Sequence, residues 1–125
     1  MECVTVVIPC NTWNDYVHEC LRACVRLKLP RYRIVLLPDG PLELPFDLAG
    51  GRIMVLPTGT ATIGAKRNRA MREYPDSSHF AFLDSDAFPD AMWLTNGLAA
   101  FRLDRDIVAV GGPNLTPQGE PAGRK

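Results

Sequence analysis

The amino-acid sequence predicts a three-layer α/β domain with a mainly parallel sheet. Short runs of apolar and β-branched residues alternate with segments of helical periodicity, in the order β-α-β-β-α-β-α-β. Runs with almost no polar break are typical of strands that are covered on both faces. Helices that connect such strands favour parallel pairing with crossovers. The 125 residues are enough for one domain with a packed core.

Five strands are predicted from the apolar runs. They span residues 4–8, 33–37, 52–56, 79–83 and 107–110. Each run is followed by proline, glycine or aspartate, residues that end strands and form turns. The segment 41–51, which contains two prolines and two glycines, is predicted to be a loop.

Prolines bound the three predicted helices, and the middle one is stopped by Pro75. The first starts at one of the polar residues Asn11, Thr12 and Asn14 and runs to about residue 29, just before Pro30. The last begins at Pro89 or Asp90 and carries its large apolar residues on one face. Each of these helices is expected to pack on the sheet through its own apolar face.

The remaining helix follows the third strand and begins with three cations in four residues, Lys66, Arg67 and Arg69. Cations in a first turn oppose the helix dipole, so an anion such as a diphosphate would stabilise them there. Arg67 shares one side with Ile63 and Ala70, and this side is expected to face the sheet. For Lys66 and Arg69, contact with an anion and exposure to solvent both stay open.

The fourth strand ends in two carboxylates, Asp84 and Asp86, separated by one small residue. Acids at the C-terminal end of a buried strand can hold a hard divalent cation and leave room for a phosphate-bearing ligand. The alternative is a turn or a helix cap, in which Asp and Ser are common. Because ligands of parallel sheets bind outside the C-terminal strand ends, we expect the functional site at this edge.

Composition excludes several classes of protein. Fourteen basic and 14 acidic residues without charge blocks argue against a nucleic-acid partner, and 46% hydrophobic residues argue against disorder. No apolar stretch approaches the ~18 residues that cross a bilayer, and the chain start lacks a basic leader. We expect a soluble, cytoplasmic protein without a transmembrane segment, with a domain at 1–113 and a Pro/Gly-rich polar tail at 114–125.

The four cysteines lie in the first fifth of the chain, at positions 3, 10, 20 and 24. They lack the C-x-x-C pairs that are typical of zinc sites. We therefore expect reduced thiols that pack as small apolar groups. Cys10 is the one that follows a predicted strand end.

Four motifs occur in the order V-T-V-V-I-P-C-N-T-W-N, L-L-P-D-G, G-A-K-R-N-R-A and F-A-F-L-D-S-D. With this order and spacing, the chain resembles the N-terminal, nucleotide-sugar-binding half of GT-A-fold glycosyltransferases of family 2. The resemblance covers almost the whole chain. It implies a Rossmann-like GT-A sheet whose C-terminal edge binds the nucleotide.

The resemblance also implies which residues contact the nucleoside. The first strand end, Pro9, Cys10 and Asn11, would line the uridine pocket. Asp39, after the second strand, would read the uracil edge. The family usually has two adjacent acids at this point, whereas Pro38 occupies the first position here.

Further roles are implied for the helix cations and for the two acids after the fourth strand. Arg67 would approach the base and the phosphates, and Asn68 occupies the usual Asn position of the family. Asp84 would contact the ribose or the sugar. Asp86 would bind Mn²⁺ or Mg²⁺ that bridges the diphosphate and stabilises the departing nucleoside diphosphate.

The function implied is that of a glycosyltransferase donor-binding domain, which binds a nucleoside-diphosphate sugar, here a UDP-sugar, for transfer to an unknown acceptor hydroxyl. The family takes its general base from a later half, after the glycine-proline loop that corresponds to 111–113. No residue of this chain inherits that role, so the catalytic residues stay unknown. We therefore expect a fold truncated after the fifth strand, with an uncovered edge that favours a homo-oligomer or a partner.

Two other functions are compatible with parts of the pattern. A non-catalytic nucleotide-binding or regulatory module would keep the base pocket but would need neither Asp86 nor a metal. A nucleotidyltransferase would open with a glycine-rich loop after the first strand, and residues 9–15 contain no glycine. The second of these is therefore the weaker alternative.

Overall fold

The computed structural model describes residues 2–112. Its strands are β1 (Val4–Pro9), β2 (Tyr32–Leu37), β3 (Ile53–Val55) and β4 (His79–Phe82), and its helices are α1 (Asp15–Cys24), α2 (Ile63–Glu73) and α3 (Trp93–Phe101). All strand pairs are parallel, and the strand order is β3-β2-β1-β4. The predicted α/β fold with a parallel sheet is confirmed.

Strand β1 is completely buried because helices cover both of its faces. Val4, Val6 and Ile8 belong to the larger apolar cluster, which also contains the buried residues of α1 and α3. Val7 points to the other face and packs with Ala70 of α2 in a second cluster. This two-sided burial explains why the run contains almost no polar residue.

The side on which successive strands are added to the sheet reverses at β1. From β1 the chain passes through α1 to β2 and then to β3, always moving away from the starting strand. Helix α2 then carries the chain back to β4, on the opposite side of β1. The C-terminal ends of β1 and β4 therefore flank the point of reversal, where parallel sheets bind their ligands.

Polar side chains cap the N-termini of helices α1 and α2. Asn14 Oδ1 accepts a hydrogen bond from Val17 N of α1 at 2.9 Å. Thr62 Oγ1 accepts one from Ala65 N of α2 at 3.1 Å. These caps fix where each helix begins, and the cap of α2 therefore sets the positions of its cations.

The predicted end of the first helix is wrong, since α1 ends at Cys24 and not near residue 29. The following loop is held by tertiary hydrogen bonds instead. Lys28 N donates to Ala91 O at 2.8 Å, and the Thr95 hydroxyl donates to Lys28 O. These bonds to the segment around the start of α3 replace the helical bonds that would have continued α1.

The predicted fifth strand, 107–110, is also wrong. These residues pair with no strand of the described part of the chain, and Val108 is 91% exposed. Residues 108–110 line a mainly apolar cleft of about 320 Å³ between β4 and α3. A strand needs a neighbour to satisfy its backbone, and the run at 107–110 does not pair with β4.

Strand β4 lies at one end of the described sheet. Within residues 2–112, β4 pairs with β1 alone, so its other edge carries no strand. A homo-oligomer or a partner that covers this edge stays a prediction. No helix in this part of the chain is long and apolar enough to cross a membrane, and the predicted tail at 114–125 lies outside the described residues.

Candidate functional site

Backbone hydrogen bonds join the C-terminal ends of the first three strands. Cys10 N donates to Leu37 O at 3.1 Å, and Asp39 N donates to Asn11 O at 3.0 Å. Gly59, whose φ of 75° favours glycine, donates from its N–H to Asp39 O at 2.8 Å. The residues predicted to line the nucleoside pocket, Cys10, Asn11 and Asp39, therefore lie on one continuous edge.

Lys66 is the buried cation of this edge. Its side chain is 2% exposed, and Nζ lies 2.6 Å from Cys10 O, 3.1 Å from Leu37 O and 2.6 Å from Asp39 Oδ1. Exposure to solvent, one of its two open interpretations, is therefore wrong. The helical spacing of Lys66 from Ala70, four residues later and also buried, is the signal that could have identified it.

The sheet-facing side of α2 differs from the predicted one by a single position. Ala70 is buried as expected, but Ile63 is 55% exposed and Met71 is 36% exposed. Arg69 points away from the site and forms an ion pair with Glu73, with Nε 3.2 Å from Oε1. The helix is therefore rotated so that Lys66, and not Ile63, faces the strand ends.

Arg67 reaches from α2 to the end of β4. Its Nη2 lies 3.6 Å from Asp84 Oδ1, and its Cζ lies 5.4 Å from the centre of the Phe82 ring. The Arg67 side chain is 36% exposed, and its buried Nε has no hydrogen-bond partner among residues 2–112. Arg67 and Asp84, which the resemblance assigns to different parts of the donor, therefore lie close together, at a distance that leaves donors of the guanidinium free.

The D-S-D segment forms a turn whose side chains stay accessible. Leu83 N donates to Val7 O at 3.0 Å, which extends the ladder beyond β4, and Ala87 N donates to Asp84 O at 3.0 Å. Both Asp84 and Asp86 are exposed. The turn that was the alternative interpretation is therefore real, but backbone groups close it and the carboxylates remain available to a ligand.

Cys10 and Pro9 are the most buried of the predicted contacts. Cys10 is 8% exposed, and burial raises the pKa of its thiol, although the nearby Lys66 partly opposes this shift. The thiol is therefore protonated near neutral pH and acts as an apolar wall. Asn11 and Asn68, in contrast, are exposed.

A sequence model described as "Glycosyl transferase family 2" matches residues 5–124. The chain belongs to glycosyl transferase family 2. This confirms the membership predicted from the four motifs. No curated protein sequence matches the chain significantly.

Solved structures share the fold of this family 2 chain. TarS 1-349 of S. aureus is 17% identical with a TM-score of 0.66, and the alignment covers 90% of this chain and 38% of that one. Its complexes with UDP-GlcNAc and with UDP match equally well, with the same identity, TM-score and coverage of this chain, and with 37% and 38% of their own chains covered. This similarity shows the fold, and the family 2 chain spans about two-fifths of TarS 1-349.

Proposed function

We propose that this family 2 chain is the donor-binding domain of a glycosyltransferase and binds a UDP-sugar together with a divalent cation. The observation that carries the proposal is that Asp39, Arg67 and Asp84 lie along the C-terminal edge of the sheet, where Arg67 is 3.6 Å from Asp84 and its neighbour Lys66 binds Asp39. They come from the end of β2, from α2 and from the end of β4. A nucleotide-sugar needs carboxylates that accept hydrogen bonds from its base and its sugar hydroxyls. It also needs a cation that binds its phosphates.

The nucleoside half of the donor fits the edge formed by the first two strands. Pro9 and Cys10 supply a buried wall, and Asn11 supplies an exposed polar side chain beside it. Asp39 is partly exposed, with 31% of its side chain accessible, and its carboxylate accepts hydrogen bonds from a base edge. We assign these four residues to the uridine pocket.

The diphosphate and sugar half fits the groups between α2 and β4. The planar guanidinium of Arg67 has donors to spare and suits phosphate oxygens. The Asp84 side chain is 68% exposed and can accept from ribose or sugar hydroxyls. Arg67 therefore exchanges its long contact with Asp84 for contacts with the ligand.

Asp86 fits the role of metal ligand in this proposal. Its carboxylate is exposed and forms no ion pair with another residue of 2–112, and no group of three or more His, Cys, Asp or Glu in this range could hold a metal alone. Mg²⁺ commonly takes one or two carboxylates and completes its shell with phosphates and water. A cation held in this way supplies charge that stabilises the departing nucleoside diphosphate.

The transfer step requires a base that deprotonates the acceptor hydroxyl. No acid of the described residues is assigned this role, so the acceptor and the catalytic base are left unassigned. The residues of this chain bind and orient the donor. Arg67 offsets the negative charge that builds up on the leaving group.

Titration calorimetry with UDP tests the proposal directly. The purified chain should bind UDP more tightly with Mn²⁺ than without it, and Asp86→Ala should remove this metal dependence. Asp106→Ala is the matched control, because Asp106 is an exposed acid without an ion pair among residues 2–112. It should bind UDP as the unchanged chain does.

Two results would contradict the proposal in different ways. UDP binding that is independent of Mn²⁺ and insensitive to Asp86→Ala would point to a non-catalytic nucleotide-binding module. No UDP binding under either condition, in a folded chain, would reject the nucleotide site as a whole.

A further inference from the structure

The ammonium of Lys66 has no hydrogen left for a ligand. An ammonium carries three donors, and Nζ of Lys66 uses them on Cys10 O, Leu37 O and Asp39 Oδ1 at 2.6, 3.1 and 2.6 Å. The side chain is 2% exposed. Lys66 is therefore not a phosphate-binding lysine, although it belongs to the cationic start of α2.

The same bond fixes Asp39. One carboxylate oxygen, Oδ1, is held by Lys66, and the backbone of Asp39 is held by Asn11 O and by Gly59 N. The second oxygen forms no hydrogen bond with another residue of 2–112, and 31% of the side chain is accessible. This corner of the site therefore presents one oriented oxygen that only accepts hydrogen bonds.

We propose that Lys66 is a positioning residue that orients Asp39 to accept the N3–H of uracil and thereby makes the site prefer uridine to cytidine nucleotides. This inference rests on the proposed function. Uracil presents a donor at N3, whereas N3 of cytosine is an acceptor and would face the carboxylate with its lone pair. A site built around a hydrogen bond rejects an analogue that cannot form it, because the polar group is then left unpaired.

A purely structural role for Lys66 makes a different prediction. Lys66 also ties the end of β1 to the end of β2 through two carbonyls, so its loss would lower stability in either case. A structural role would weaken UDP and CDP binding together. A positioning role changes the ratio of the two affinities, and it acts only while Asp39 is present.

The test compares UDP with CDP, each with Mn²⁺, by titration calorimetry. The chain should prefer UDP by about tenfold to about a hundredfold, the range for a hydrogen bond to a charged group. Lys66→Met and Asp39→Asn should each bring the ratio close to one. The double variant should have the same ratio of UDP to CDP affinity as Asp39→Asn alone, because Lys66 acts through Asp39.

Arg69→Met is the control, since Arg69 is a cation of the same helix that is paired with Glu73 away from the strand ends. It should keep the UDP preference. If circular dichroism shows that Lys66→Met is unfolded, Asp39→Asn carries the test, because it leaves both carbonyl bonds of Lys66 in place.

The outcomes separate this inference from the function on which it rests. A chain that binds UDP and CDP equally well, or variants at Lys66 or Asp39 that keep the preference, would overturn the inference alone. A double variant in which the two losses of UDP preference add up would also overturn the inference alone. A folded chain that binds neither nucleotide would overturn both proposals.

Discussion

Arg67 and Asp84 face each other across the C-terminal end of the sheet, with Nη2 of Arg67 3.6 Å from Oδ1 of Asp84. One residue lies on α2 and the other follows β4, so the contact joins this helix to one of the two strand ends that flank the point of reversal. Both side chains are substantially exposed, at 36% and 68%. A pair this long and this exposed contributes little to folding, and its groups are free to bind a ligand.

Replacement of Arg67 should therefore separate binding from stability. We expect Arg67→Met to change the free energy of unfolding in urea by less than about 1 kcal/mol, as for other exposed ion pairs. The same change should weaken UDP binding by about tenfold or more, because a charge-assisted contact to phosphate is lost. Equal UDP affinity in Arg67→Met and in the Arg69→Met control would contradict the role of Arg67.

Buried proton donors should make the fold sensitive to alkaline pH. Burial raises the pKa of the Tyr32 phenol above 10.0, with Arg52 opposing the shift, and burial also raises the pKa of Cys10 above 9.0. The native state thus keeps protons that the unfolded chain has lost. The free energy of unfolding should be unaffected by these groups below about pH 8 and should fall as pH rises through 9 and 10.

Tyr32→Phe isolates one part of this effect. The Tyr32 hydroxyl donates to Cys24 O at 2.8 Å in a buried position, so its removal should cost about 1 kcal/mol at neutral pH. Because the variant has no phenol to ionise, its stability should fall less steeply above pH 10 than that of the unchanged chain. Urea midpoints measured from pH 7 to 11 give both quantities, and parallel curves would show that Tyr32 does not contribute.

The four thiols should differ sharply in their reaction with iodoacetamide. Cys3 is partly exposed, whereas Cys10, Cys20 and Cys24 are buried. A hydrogen bond with Cys20, together with burial, also raises the pKa of Cys24. Peptide mapping by mass spectrometry at pH 8 should therefore find Cys3 alkylated first and the other three only after unfolding, since the thiolate is the reactive form.

Shortening a buried side chain of the central strand β1 should lower the stability of the fold. Ile8 is fully buried in β1 and packs in the larger apolar cluster, so Ile8→Ala should lower the free energy of unfolding by about 2 to 5 kcal/mol. Phe46→Ala is the contrasting control, because Phe46 is 99% exposed. Urea denaturation should show almost no change for this variant, and a large loss there would contradict its exposed position.

Local patterns predicted three of the strands well but failed for the fifth strand and for the end of the first helix. The apolar runs at 4–8, 33–37 and 79–83 each agree with an observed strand to within a residue at either end. The run at 107–110 has the same composition, but a strand forms only beside a partner, and none lies there in the described part of the chain. The end of α1 likewise depends on hydrogen bonds from Lys28 to the distant α3 region.

The sequence likewise predicted some features of the candidate site and missed others. Strand ends and turns predicted that Asp39, Asp84 and Asp86 would lie at one edge, and each is found there or in the turn that follows it. The sheet-facing side of α2 was predicted one position off, although the spacing of Lys66 from the buried Ala70 was available as a signal. Neighbouring helical residues point about 100° apart, so a shift of the sheet-facing side by one position decides which of Lys66 and Arg67 is buried.

By itself, the sequence determined the alternation of strands and helices, the parallel sheet and the order of the motifs that place the chain in glycosyl transferase family 2. These properties follow from local periodicity, turn residues and capping. The tertiary structure alone decided that Lys66 would bind Asp39 and the carbonyl of Cys10, which lies 56 residues earlier in the chain. A buried ammonium needs partners from distant segments, and only the packing of α2 on the strand ends brings them together.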